Sequence, residues 1–233
     1  MVQQLCLAGL PAELTKWQKL EAPLKNAIKT LLVQEHKLIK MGENERTIVA
    51  HLASYVRDEL KPLNQPWHVD TDYNRVLNSG ATKKQPTEYL REAIHWLFDI
   101  RKNKQGDLGT YLQRFTESDF DDALKDVAIS TNVEAKAQRT ITTPDLIVHE
   151  RTCMALEHNL LAMEFKPSWS NHRYLSLIDL SRMKVFTTDK IEPDREILPT
   201  YQHALFLYFT QKNGFDSGWL LQHGNPEPSE FKL

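Results

Sequence analysis

The run from Thr143 to Lys166 limits what this chain can fold into more than any other stretch. It holds two short apolar segments, Thr-Pro-Asp-Leu-Ile-Val-His (143–149) and Asn-Leu-Leu-Ala-Met-Glu-Phe-Lys (159–166), with Glu150, Arg151, Glu157 and His158 in the connection between them. Apolar runs of this length, bounded by polar residues, read as strands. Side chains alternate along a strand, so Glu164 and Lys166 share one face while Met163 and Phe165 take the other. An unpaired buried charge is costly, so a carboxylate and a lysine on an apolar strand call for each other, a metal or a ligand. Asp145, directly after Pro144, adds a second carboxylate if the two strands pair. The plainer alternative is an Asp at a strand start and a Glu–Lys surface pair on an edge strand.

Pro144-Asp145 followed by Glu164-Phe165-Lys166 resembles the motif of the PD-(D/E)xK nuclease superfamily, the restriction-endonuclease-like fold. The resemblance implies an α/β protein with an αβββαβ core and a mixed central sheet. That superfamily opens its core with a helix bearing a glutamate near its N-terminus, and Glu45, just after Asn44, stands in that place. A glutamate there also suits the helix macrodipole without any catalytic role. By resemblance the catalytic residues are Glu45, Asp145, Glu164 and Lys166, and the metal ligands are Asp145 and Glu164 with Glu45 as an outer ligand. The implied cofactor is Mg²⁺, for which Mn²⁺ can substitute, and the implied partner is nucleic acid, DNA before RNA. Mg²⁺ is commonly held by one or two carboxylates and keeps several waters, so Asp145 and Glu164 suffice. Lys166 would steady the attacking hydroxide or offset charge on the phosphate. A role as base needs a depressed pKa, which neighbouring carboxylates oppose, so the electrostatic role is expected.

In chain order, residues 12–40 read as one or two amphipathic helices, with Leu14, Trp17, Leu20, Leu24, Ile28, Leu31 and Leu32 at three- and four-residue steps. Pro23 is expected in a first turn, dividing the stretch. Met41-Gly42 reads as a stop and Asn44 as the N-cap of a helix to about Leu60. Residues 67–76 alternate like a strand. Within it, Asp70 and Asp72 read as solvent-facing positions, with approach to the metal site as the alternative. Thr87 reads as the cap of a helix to about Lys102, with shorter helices near 107–115 and 118–128, the latter capped by Ser118. After Lys166 a helix is expected over 174–187 and a buried strand over 204–209. Gly214–Gly218 reads as a turn, Trp219–Leu221 as an edge strand and Gly224–Leu233 as a loose tail.

The expected organisation is an N-terminal helical arm (1–41), a nuclease-like core (42–78 and 141–233) and a helical insertion (79–140). The formal net charge of −2 gives no global sign of nucleic-acid binding, although residues 1–40 carry six lysines against three glutamates. Cys6 and Cys153 lie far apart with no CxxC spacing, against a zinc site or disulfide framework. No apolar run approaches the roughly 20 residues of a membrane helix, and the N-terminus lacks a basic n-region. A cytoplasmic protein with no membrane partner is expected, with a homodimer open as an assembly state. Two functions remain from the sequence: a metal-dependent nuclease, or a non-catalytic protein of the same fold serving in binding or assembly.

Overall fold

A computed structural model describes residues 15–71, 87–132, 144–150, 158–169, 173–188 and 200–233. They form a mixed α/β structure around one six-stranded sheet. Its strands lie side by side in sequence order: β1 (His68–Thr71), β2 (Leu146–His149), β3 (Asn159–Pro167), β4 (His203–Thr210), β5 (Gly214–Gln222) and β6 (Asn225–Glu230). Every neighbouring pair is antiparallel except β3 and β4, which run parallel. A parallel pair needs a crossover over the sheet. The helix α7 (Tyr174–Phe186) lies in that crossover and packs on both strands.

Helices cover both faces. On one lie α1 (Lys16–Gln34), α2 (His36–Met41) and α3 (Glu45–Leu60), whose Leu24, Ile28, Leu31, Ile39, Ile48 and Leu52 meet Met163, Phe165, Leu205 and Leu207. On the other lie α4 (Thr87–Asn103), α5 (Gly106–Leu112), α6 (Glu117–Asn132) and α7, packed on Ile147, Ala162, Ala204 and Phe206. These two sets alternate along the strands, as the period of two requires. The helices between β1 and β2 therefore interrupt the sheet in sequence but in space pack with α7 on one face of it.

Local chemistry explains most of the boundaries. Thr15 and Gln18 form a reciprocal capping box at the start of α1. Gly42 ends α2 at φ 71°, and Asn44 Oδ1 accepts the Arg46 N–H at 2.9 Å to start α3. A Cβ at Gly42 would stand 2.6 Å from Gln211 Nε2, so the turn before α3 is pressed onto the β4–β5 turn. The α3 start thus has a fixed position relative to the sheet.

Several boundaries differ from the expectations. Pro23 sits inside a continuous α1 rather than in a first turn, because buried Leu20, Leu24, Ala27, Ile28 and Leu31 hold both halves against the sheet. The cap of α6 is Thr116, not Ser118: Thr116 N–H and hydroxyl both donate to Asp119 Oδ2, and Asp119 N–H donates back to Thr116 Oγ1. β5 begins at Gly214, so the expected turn is part of a strand, and the reversal falls at Gln211–Asn213. The C-terminus is no loose tail. β6 pairs with β5, and Phe231 behind it is buried in the core with Leu20 and Leu24. Its two prolines are tolerated because β6 lies at the sheet edge, where a strand needs donors on one side only. The strand expected over 67–76 is described as far as Thr71; Asp72 and the stretch to residue 86 lie outside the described residues.

Phe231 tests the C-terminal correction. Phe231→Ala should cost about 3–5 kcal/mol, as for other buried Phe truncations. For a chain of this size that lowers the melting temperature by on the order of 10 °C. An unchanged melt would return residues 225–233 to a dispensable tail.

Candidate active site

The site forms where the start of β2 meets the end of β3. The antiparallel register pairs Leu146 with Met163, which sets Asp145 beside Glu164. Asp145 Oδ2 accepts the Phe165 N–H at 2.7 Å, so a side chain occupies the next place in the ladder. Asp145 and Glu164 also share a side-chain hydrogen bond. The two carboxyl groups lie on one face, over the α7 side of the sheet, as the alternation of β3 requires.

Lys166 is on that face, one pleat further on. Its Nζ stands 2.9 Å from Asp179 Oδ2 of α7 and 3.7 Å from Glu45 Oε2 at the start of α3. Asp179 in turn takes Arg182 Nη1 on its other oxygen at 2.8 Å. Trp169 Nε1 donates to the Glu43 carbonyl at 3.1 Å, tying the segment after β3 to the turn that presents Glu45. Asp145, Glu45, Glu164 and Lys166 are therefore all brought to one place, from three separate elements.

Two members were not foreseen from the sequence, Asp179 and Arg182. The signal that could have shown them is their setting: α7 is buried almost all round, and Asp179 is only 5% exposed on it. A helix hydrophobic on every side has no solvated stripe for an aspartate, so that aspartate needs an internal partner. Asp70 is on this face but does not join. Its Oδ2 bonds His149 Nε2 at 2.9 Å, which favours the structural reading of that residue.

Four carboxylates, Asp145, Glu164, Glu45 and Asp179, stand here against two cations, Lys166 and Arg182. Burial pushes Asp145 up to about 6, against the pull of its Phe165 N–H bond. Burial pushes Glu45 up to about 7, offset in part by Lys166. Burial, then the charges of Asp145 and Asp179, carry Glu164 well above the usual carboxylate range. Both Asp145 and Glu164 are thus shifted towards their protonated forms. Burial alone would lower Lys166, but Asp179 and Glu45 outweigh it, so the lysine is held firmly cationic.

These residues fit a hard divalent cation. Glu164 Oε1 is buried with no hydrogen-bond partner, an orphaned acceptor beside a second carboxylate. The excess of two negative charges matches one such ion. Asp145 and Glu164 are the residues that would hold it, with water completing the shell. Among the described residues no group of three His, Cys, Asp or Glu side chains is arranged for a metal.

Comparison with known protein families, characterised proteins and solved structures finds no match to this chain. No helix among the described residues is long and apolar enough to cross a membrane.

A pH prediction follows from the raised carboxyls. The folded protein keeps protons on Asp145 and Glu45 that the unfolded chain releases near its ordinary values of 3.8 and 4.5. Their stabilising contribution is complete below about pH 4 and is lost as pH rises through about 6 to 7. In EDTA the melting temperature should fall across that window, and Asp145→Asn/Glu164→Gln should flatten the fall. A wild-type profile flat from pH 4 to 8 would contradict the buried, uncompensated arrangement.

Proposed function

We propose that this protein is a metal-dependent phosphodiesterase of the restriction-endonuclease-like fold, hydrolysing nucleic acid, with DNA as the favoured substrate. The observation that carries the reading is the buried side-by-side pair Asp145–Glu164 with an orphaned oxygen, set beside a lysine ion-paired to Asp179. The order α3, β1, β2, β3, α7, β4 supports the same reading, since it agrees with the αβββαβ order that the motif implies.

Each side chain has a task in this reading. Bound between Asp145 and Glu164, a Mg²⁺ ion would supply an acidified water and neutralise phosphate charge. A metal held by Asp145 and Glu164 would compete with protons for their oxygens, so its binding would be favoured as pH rises. Lys166 cannot serve as a base while Asp179 and Glu45 keep it protonated. It offsets the charge that builds on the phosphate oxygens as the P–O bond breaks. Glu45, with its pKa near 7 and its side chain 30% exposed, is balanced to accept the proton of the attacking water.

The non-catalytic reading is favoured by one observation: Lys166 already has its partner in Asp179, so the buried charges are partly satisfied without substrate. Glu164→Gln separates the two. The substitution keeps shape and hydrogen-bonding capacity, removes an acid repelled by Asp145, and removes a charge a hard cation needs. Cleavage with Mg²⁺ or Mn²⁺ should disappear, with the melting temperature unchanged or raised. Full cleavage by the variant would exclude Glu164 as a ligand. No cleavage by either protein, with a large drop in the variant's melt, would favour the scaffold.

Metal binding has its own readout. Mg²⁺ at a hundredfold excess over its Kd should stabilise the folded protein by about 2.7 kcal/mol. In a chain of this size that raises the melting temperature by about 5–10 °C at pH 8. At pH 5, where protons compete for the same oxygens, the rise should shrink, and Glu164→Gln should abolish it. Equal rises at both pH values would speak against binding at this pair.

A further inference from the structure

Next to Lys166 the surface changes character. Tyr208 is the register partner of Lys166 on the parallel strand β4, so its ring lies on the same face, beside the site. Over Tyr208 and Tyr111 sits Arg114, its guanidinium carbon 3.9 Å from the Tyr111 ring centre and 5.5 Å from that of Tyr208. Arg173, at the start of α7, donates to the Arg114 carbonyl and places its guanidinium 5.8 Å from the Phe115 ring. Both arginines are exposed, while Tyr111 and Phe115 beneath them are buried. Two guanidinium groups seated on aromatic rings are preorganised, because a planar cation on a ring face gives up little further freedom on binding.

Among the described residues the carboxylate paired with this patch is Asp216, 3.3 Å from Arg114 Nη1. That pair is solvent-accessible, so its competition with a bound phosphate is weak. Arg114 covers Tyr111 with one side of its plane and leaves 39% of its side chain open to solvent. An open guanidinium plane accepts an unpaired base by stacking, and its edge takes phosphate oxygens. Bases inside a duplex cannot offer that stacking face.

We propose that Arg114, Arg173 and Tyr208 form a track that holds a single-stranded nucleic acid and leads it to Lys166. The inference rests on the phosphodiesterase reading for what happens at the end of the track, but binding along it does not need the metal. Aromatic platforms interleaved with arginines are the usual means of holding unpaired strands. The track also answers the charge question, since the molecule as a whole carries a net −2 and local basic residues must supply the grip.

The test is fluorescence anisotropy of a fluorescein-labelled single-stranded oligonucleotide in EDTA, with a hairpin duplex of related sequence as the second arm. The full chain should bind the single strand more tightly than the hairpin. Arg114→Gln/Arg173→Gln should weaken single-strand binding about tenfold or more, and the slope of log K against log salt should become shallower by about 1.4, or 0.7 for each lost contact. Lys29→Ala/Lys61→Ala removes the same charge from exposed side chains on α1 and just after α3, across the sheet from the track, and should leave affinity unchanged. Thermal melts accompany each variant. Should the double variant fail to fold, Arg173→Gln alone spares the Arg114–Asp216 pair and should still weaken binding measurably.

No binding by the wild type, preference for the hairpin, or equal loss in the Lys29/Lys61 control would overturn the track. Mg²⁺-dependent cleavage by a double variant whose binding is undiminished would overturn the track and leave the metal site standing. Arginine-dependent single-strand binding without cleavage under any divalent cation would keep the track and overturn the phosphodiesterase reading.

Discussion

Everything at the end of β3 follows from the repulsion among four carboxylates that share two cations. Water would screen such a cluster, but Glu164, Lys166 and Asp179 are nearly inaccessible to it. At low effective dielectric, like charges a few ångströms apart repel strongly enough to force a choice. The protein can hold protons that carboxylates ordinarily release well below neutral pH, or it can admit a cation. The raised Asp145, Glu45 and Glu164 represent the first solution, and the orphaned Glu164 oxygen marks where the second would act.

The fold makes that tension sustainable. Each acid comes from a different element whose position is set by other forces: β2 and β3 by backbone pairing, α3 by the Asn44 cap and the tight Gly42 turn, α7 by apolar packing. No single carboxylate can swing away without disturbing a strand ladder or a helix layer. Stability gained in the two apolar layers offsets the unfavourable charges between them, a common relation between a core and the functional site it supports.

Asp179 has a double role in this balance. It adds to the negative excess that burdens Glu164, yet it also keeps Lys166 cationic and aligned beside the carboxylate pair. Arg182 on its other oxygen prevents Lys166 from collapsing it into a simple one-to-one pair. The lysine is thereby presented as a fixed positive charge, which suits stabilisation of a phosphate better than proton transfer. The arginines on their aromatic seats at Tyr111, Tyr208 and Phe115 add positive charge on the β4 side of that lysine.

Local pattern alone determined much of this. The period of two along 159–166 places Glu164 and Lys166 on one face, and a short antiparallel return puts Asp145 across from them. Gly42 and Asn44 announce the start of α3, and so the position of Glu45, because turn and cap chemistry act over a few residues. What only the tertiary structure decided are the contacts between distant elements. The pairing of Lys166 with Asp179 depends on how α7 lies over β3, and no local spacing encodes that angle. Pro23 stays inside a helix, and a polar, proline-containing segment becomes β6, because packing and an available sheet edge outweigh local propensity. The raised carboxyl pKa values belong to the same class. They arise from burial and from charges brought together across the fold, and neither exists until the layers close.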